Sequence, residues 1–139
     1  MMSVAAQSGA IATRTMRIWR GEDGIIRAVS LAGAHNALVD AVENIQACAK
    51  AGGEKRRPVL VDLRPLGSAD GAARGHYAGP ETARVFTAVV LLIGSPVSRM
   101  VGNFFLTVDR PLVPLRLFTD EAEALAWLRA FLPEQGGAR

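Results

Sequence analysis

PVLVDLR, residues 58–64, is the stretch on which the fold turns. Val59, Leu60, Val61 and Leu63 form a nearly unbroken aliphatic run, the pattern of a strand buried on both faces of a sheet. A second such run, FTAVVLLI at 86–93, predicts a second central strand. Between them, a Gly- and Ala-rich stretch from about Asp70 to Ala78 reads as a weak helix, with Pro80 restarting a short helical piece. Upstream, Leu38, Val42, Ile45 and Ala49 recur at helical spacing, and Gly52-Gly53 stops that helix where a left-handed cap is wanted. Further upstream, TMRIWR (15–20), the turn Gly21-Glu22-Asp23-Gly24 and the run 25–30 read as a β-hairpin, with Met16 and Ile18 on one side and Arg17 and Trp19 on the other. Downstream, Ser95-Pro96 opens a helix reaching about Leu106, Leu115 to Phe118 is a short strand, and Thr119 caps a last helix whose first turn carries Asp120, Glu121 and Glu123. Pro133 ends it. The order is ββαβαβαβα, which calls for an α/β fold: central parallel strands, covering helices and an antiparallel edge supplied by the hairpin.

At 139 residues the chain is the size of one domain. With 50% hydrophobic and 21% charged residues it has the balance of a globular chain, not a disordered one. Residues 14–133 are expected to form that domain, with 1–13 a mobile leader and 134–139 a disordered tail. The net charge of +3 comes almost wholly from dispersed arginines. That dispersion argues against nucleic acid, which calls for clustered cations with interleaved aromatics. Lys55-Arg56-Arg57, the one basic run, reads as a solvated loop. No segment approaches the length of a membrane span, since the strongest apolar run ends at Gly94. The N-terminus lacks the pattern of a signal peptide. Cys48 is the single cysteine, so no internal disulfide forms and a cytoplasmic, reducing setting is expected. Its place beside the apolar stripe of the first helix reads as a small buried hydrophobe.

VLVDLR followed by a loop with Asp70 and a small-residue helix, TAVVLLIGSPVSRMVGNFFL, and LFTDEAEALAWL carry a resemblance. Over residues 17 to 132 the chain resembles the SpoIIAA-like superfamily, the bacterial domains related to STAS anti-anti-sigma factors. The resemblance implies a SpoIIAA-like (STAS-like) mixed sheet and a non-catalytic regulatory module with a regulatory protein partner. It also implies a switch by phosphorylation of a serine in a D-S-S-G stretch at the start of the helix after the central strand. Here that position reads Asp70-Gly71-Ala72, which has no hydroxyl. Ser68, two residues earlier, is the candidate phosphosite, with the helix start and Arg74 as favourable charge.

A second loop, Gly94-Ser95-Pro96-Val97-Ser98-Arg99, follows the carboxyl end of the other central strand. Ligands collect outside such ends, so Ser68, Asp70 and Arg74 together with Gly94, Ser95, Ser98 and Arg99 form a candidate site for a small anionic or apolar ligand. Neither GxxxxGK[ST] nor GxGxxG is present. His35 and His76 have no metal-ligand spacing, and no metal or cofactor is expected. A hydrolase, assembled from Ser68, His76 and Asp62, ranks third because no nucleophile elbow accompanies those residues. Asp62, inside an apolar strand, is expected to bind an arginine or a backbone donor.

The last two helices carry more apolar surface than one sheet-facing stripe needs. Val97, Val101 and Phe104, and then Ala122, Leu125 and Leu128, are assigned to the core. Phe105, Trp127 and Phe131, with a small-residue groove at Ser98 and Gly102, are left as an interface, and a homodimer is expected.

Overall fold

The computed structural model describes residues 9–133. In chain order it holds β1 (Ile11–Ala12), β2 (Met16–Arg20), β3 (Ile26–Ser30), β4 (His35–Asn36), α1 (Leu38–Ala51), β5 (Arg57–Asp62), β6 (Ser68–Ala69) and α2 (Gly71–Tyr77). Then follow α3 (Pro80–Ala83), β7 (Phe86–Leu92), α4 (Pro96–Phe104) with a π-helical extension (Phe105–Asp109), β8 (Leu115–Phe118), and α5 (Glu121–Leu128) with a 3₁₀ turn (Arg129–Phe131). The main sheet runs β1-β2-β3-β5-β7-β8. β3, β5, β7 and β8 are parallel, and β1 and β2 add antiparallel edge strands. The two aliphatic runs sit side by side at the centre, as their continuous hydrophobicity requires. Ile11 and Ala12, which the sequence pattern places in a leader, pair with Ile18 and Arg17 and belong to the sheet. Residues 1–8 and 134–139, the rest of the expected leader and the tail, lie outside the described residues.

The parallel strands are added in one direction, so crossovers of one hand put their helices on one face of the sheet. Accordingly α1, α2 and the end of α4 cover a core of Met16, Ile18, Ile26, Val59, Val89 and Leu91. The opposite face of β5, β7 and β8 is left to α5, which follows the last strand and packs Ala124 and Leu128 on Leu60, Val90 and Leu92. One helix covering a whole face needs a broad apolar surface. Leu125, Trp127 and Phe131 therefore pack against this core, and Trp127 lies between the rings of Phe118 and Phe131 at 6.1 and 4.8 Å. Ala122, assigned to the core by its spacing, is exposed.

The expected interface is corrected in the same way. Phe105 is buried among the residues under α1 and α2, and Gly102 is buried against the sheet. A Cβ at Gly102 would lie 3.1 Å from Leu117. The small residues of α4 do provide for close approach, but to the chain's own strand β8. Ser98, Val101, Gly102 and Phe105 form the buried stripe, while Phe104 is displaced to its edge, where the Arg74 guanidinium stacks 4.6 Å above the ring. The surplus on which a homodimer was expected is thus largely spent within the chain. Among the described residues no helix is long and apolar enough to cross a membrane.

The helix ends follow local chemistry. Asp40 reaches back to the N–H of Ala37 at 2.9 Å and opens α1. Gly53, at φ 66°, supplies the expected left-handed stop. Asp120, one residue after the expected cap, accepts the N–H of Glu123 at 2.9 Å and opens α5.

Candidate functional site

Two short loops leave the carboxyl ends of β3 and β5 and are stitched together. Gly33 N–H donates to Pro65 O at 2.8 Å, Gly67 and Ser68 N–H both donate to Ala34 O, and Asp70 N–H donates to Asn36 O. A side chain at Gly67 has no room, since a Cβ there would stand 2.4 Å from the Gly33 carbonyl oxygen. The result is the two-stranded parallel ladder β4–β6, which sets His35 opposite Ser68. Both are exposed, and Ser68 Oγ is hydrogen-bonded to His35 Nδ1 at 2.6 Å. His35 Nε2 lies 3.9 Å from Asp70 Oδ2, while Asp70 Oδ1 accepts Ala73 N–H at 2.8 Å and caps α2. Immediately beyond His35, the first turn of α1 leaves Leu38 47% and Val39 73% exposed.

Other residues expected at this site are committed elsewhere. Arg74 donates to Ala69 O at 2.9 Å and to the Asp109 carboxylate at 3.2 Å, so its charge is already met. Ser98 is fully buried; its Oγ accepts the N–H groups of Gly94 and Ser95 at 2.9 and 2.8 Å and donates to Ser95 O. Ser95 Oγ in turn accepts Ser98 N–H at 3.1 Å. The N–H groups of Gly94, Ser95 and Ser98 are thus bonded within the loop, so these three residues build a self-bonded cap. Arg99 is exposed on the next turn. Asp62 is held as expected, with Oδ1 accepting the backbone N–H and Nε of Arg64 and Oδ2 accepting its terminal nitrogen at 2.8 Å. The grouping of Ser68, His76 and Asp62 does not assemble: His76 faces Glu81 at 3.8 Å, and Asp62 is bound to Arg64. The histidine that reaches Ser68 is His35, thirty-three positions away. Neither spacing nor periodicity signals that contact; only the β4–β6 ladder makes it.

A second feature escapes the sequence pattern. Beneath α1 and α2, a buried polar network roofs an apolar cavity of about 70 Å³ lined by Met16, Ile45, Cys48, Tyr77, Val89 and Phe105. Asn44 donates to Thr15 Oγ1 at 2.9 Å, Asn36 Oδ1 at 3.1 Å and Tyr77 Oη at 2.9 Å, and Tyr77 donates to Asn36 Oδ1 at 2.7 Å. Thr13 Oγ1 donates to Asn44 Oδ1 at 2.6 Å. Burial holds the Tyr77 phenol well above its ordinary range, with the Asn44 bond acting the other way. Burial likewise pushes the Cys48 thiol up to about 12. Since the thiolate is the reactive form, Cys48 is expected to stay unmodified by an aromatic disulfide reagent near pH 8 in the folded protein and to react promptly in denaturant. Prompt reaction of the folded chain would contradict its placement.

The sequence profile of the family described as "Domain of unknown function (DUF7793)" matches residues 18–132. No curated protein matches the chain. Among solved structures, the chain is similar to a protein of the DUF3478 family with a SpoIIAA-like fold from Shewanella loihica PV-4. The two are 15% identical with a TM-score of 0.56, over 85% of this chain and 98% of that one. It is also similar to an anti-sigma factor antagonist from Mycobacterium paratuberculosis, at 20% identity and a TM-score of 0.55, over 86% of this chain and 99% of that one. At these identities the likeness is one of fold: a SpoIIAA-like mixed sheet, as the segment pattern implies.

Proposed function

The chain belongs to the family described as Domain of unknown function (DUF7793), and on that footing we propose that it is a non-catalytic regulatory module that docks on a protein partner through the face carrying His35, Leu38, Val39, Ser68 and Asp70. The observation that carries this reading is the exposed Ser68–His35 pair, followed in the chain, at the start of α1, by two exposed aliphatic side chains, Leu38 and Val39. An apolar patch rimmed by polar groups is a common form of docking surface. Likeness to an anti-sigma factor antagonist supports a regulatory protein as the partner class.

Ser68 is the natural switch on this face. A phosphate on Ser68 would end the hydroxyl's present bond to His35, place about two negative charges two residues from Asp70, and draw a protonated His35 toward itself. Ser68→Glu is therefore expected to lower partner retention about tenfold or more in affinity capture from the native host, with an unchanged melting temperature because Ser68 is exposed. Val39→Arg is expected to do the same. Retention unchanged by both substitutions would refute this face. A second copy of the chain recovered in place of another protein would make the module a homodimer.

Two other readings receive less support. A small-ligand binder at Ser68, Asp70, Arg74 and the loop 94–99 is disfavoured because Arg74 is held by Asp109 and the N–H groups of Gly94, Ser95 and Ser98 are bonded within their own loop. For a hydrolase, Ser68 and His35 are near one another, but the N–H groups of Gly67, Ser68 and Asp70 are all spent on carbonyls of the facing loop. An oxyanion at Ser68 would not have those donors to meet it.

A further inference from the structure

The opposite ends of the parallel strands hold a cluster of cations that the docking face does not use. Arg20 closes β2, Arg57 opens β5, and Lys55 lies in the turn between α1 and β5. With Gly24 and Glu22 of the hairpin turn and Leu132 they line a polar recess of about 300 Å³. Arg57 Nε donates to Gly52 O at 2.8 Å and Arg20 donates to the same oxygen at 3.5 Å, so two guanidinium groups converge on one neutral acceptor. Glycines keep space for them: a Cβ at Gly24 would lie 3.1 Å from an Arg57 terminal nitrogen, and one at Gly53 would lie 3.1 Å from an Arg20 terminal nitrogen. Both have positive φ, at 85° and 66°.

None of these three cations has an ion-pair partner among the described residues. Asp23 also lines the recess, but it is held by Arg27 at 2.6 and 3.0 Å. Glu22, exposed at the turn, is the remaining carboxylate of the lining. The Arg57 guanidinium is held below its ordinary range by burial and then by repulsion from Arg20. A folded chain that holds three cations together with no carboxylate within ion-pair distance of any of them gains most from a multivalent anion. Two guanidinium forks and an ammonium present donors in several directions, which suits the oxygens of a phosphate better than a lone carboxylate.

We propose that the recess formed by Arg20, Lys55 and Arg57 is a binding site for the phosphate group of a small soluble phosphate ester. The recess volume is at the lower end of the range for ligand sites, which fits a compact phosphorylated molecule. The site lies at the far end of the sheet from Ser68 and stands or falls apart from the docking face.

Titration of the folded chain with pyrophosphate, followed by calorimetry and amide shifts, tests the proposal. Saturable binding is expected, with shifts centred on residues 20–24 and 52–57. Arg20→Gln and Arg57→Gln should each weaken it about tenfold or more, while Arg99→Gln, an exposed arginine in α4 beyond the opposite strand ends, leaves it unchanged. Arg20 is exposed, so its variant folds even where Arg57→Gln does not. Absence of binding up to about 10 mM, or equal weakening by all three variants, would overturn the proposal. Binding confined to phosphatidate vesicles, without pyrophosphate binding, would also overturn it, because the source would then be a lipid surface.

Discussion

Asn44→Ala is expected to destabilise the protein by about 3 to 4 kcal/mol, a large share of the 5–15 kcal/mol that holds a domain of this kind together. Asn44 is 1% exposed and joins Thr13, Thr15, Asn36 and Tyr77 in one buried network. Its removal leaves the Thr13 hydroxyl with only the longer contact to Met16 O at 3.3 Å and takes from Thr15 and Tyr77 the donor that Asn44 supplies, each at a cost of about 1 kcal/mol. It also enlarges the cavity beneath, and Tyr77, which packs on Phe105 with centroids 6.5 Å apart, loses one of the two hydrogen bonds of its hydroxyl. Asn44→Leu separates the two contributions, because it fills the volume but restores no hydrogen bond. Urea unfolding should show both variants shifted to a lower midpoint, with Asn44→Leu still costing about 2 kcal/mol. A change below about 0.5 kcal/mol in Asn44→Leu would mean that the network contributes nothing to folding.

Phe105→Ala is expected to cost about 3 to 5 kcal/mol, whereas Leu106→Ala should fall near or within about 0.5 kcal/mol. Phe105 is 6% exposed at the start of the π-helical extension and lines the cavity; its neighbour Leu106 is 46% exposed. The helical pattern alone centres the buried stripe on Val97, Val101 and Phe104 and leaves Phe105 outside. Equal costs at 105 and 106 would restore that reading. A carboxylate at 105 would unfold the chain and says nothing about association, because the side chain is in the core.

The architecture is legible in the sequence because its signals are local. Continuous β-branched runs mark the central strands, the Gly21–Gly24 turn marks the hairpin, and Gly53 marks the end of α1. The assignment of α4 fails for a physical reason. Ser98 and Gly102 look like an exposed groove because they are small, yet both are buried, and Gly102 is where Leu117 and Ile93 leave no room for a side chain. Apolarity by itself does not tell which side of a helix meets a sheet. α5 misleads differently: its two apolar stripes look like a surplus until the strand order shows that it covers one face of the central sheet alone.

The candidate site divides in the same way. The start of α2 at Asp70 is a local signal, and Asp70 Oδ1 accepts the N–H of Ala73 there. The engagement of Arg74 by Asp109, thirty-five positions later, and of Ser68 by His35 are long-range events with no sequence period. Asn36 and Asn44 are eight residues apart and straddle the start of α1. An amide on the buried stripe of an amphipathic helix is the one sequence sign that a polar network lies beneath, since such a group needs partners.

The docking face is tested most directly by a photo-crosslinking residue placed at Val39, in the first turn of α1 after His35, or at Glu123 on α5, which covers the other face of the sheet, in the full chain within its native host. One discrete protein adduct is expected from position 39, with its loss when Ser68→Glu is added and no adduct from position 123. An adduct from position 123 alone, or one from position 39 that persists with Ser68→Glu, would contradict it.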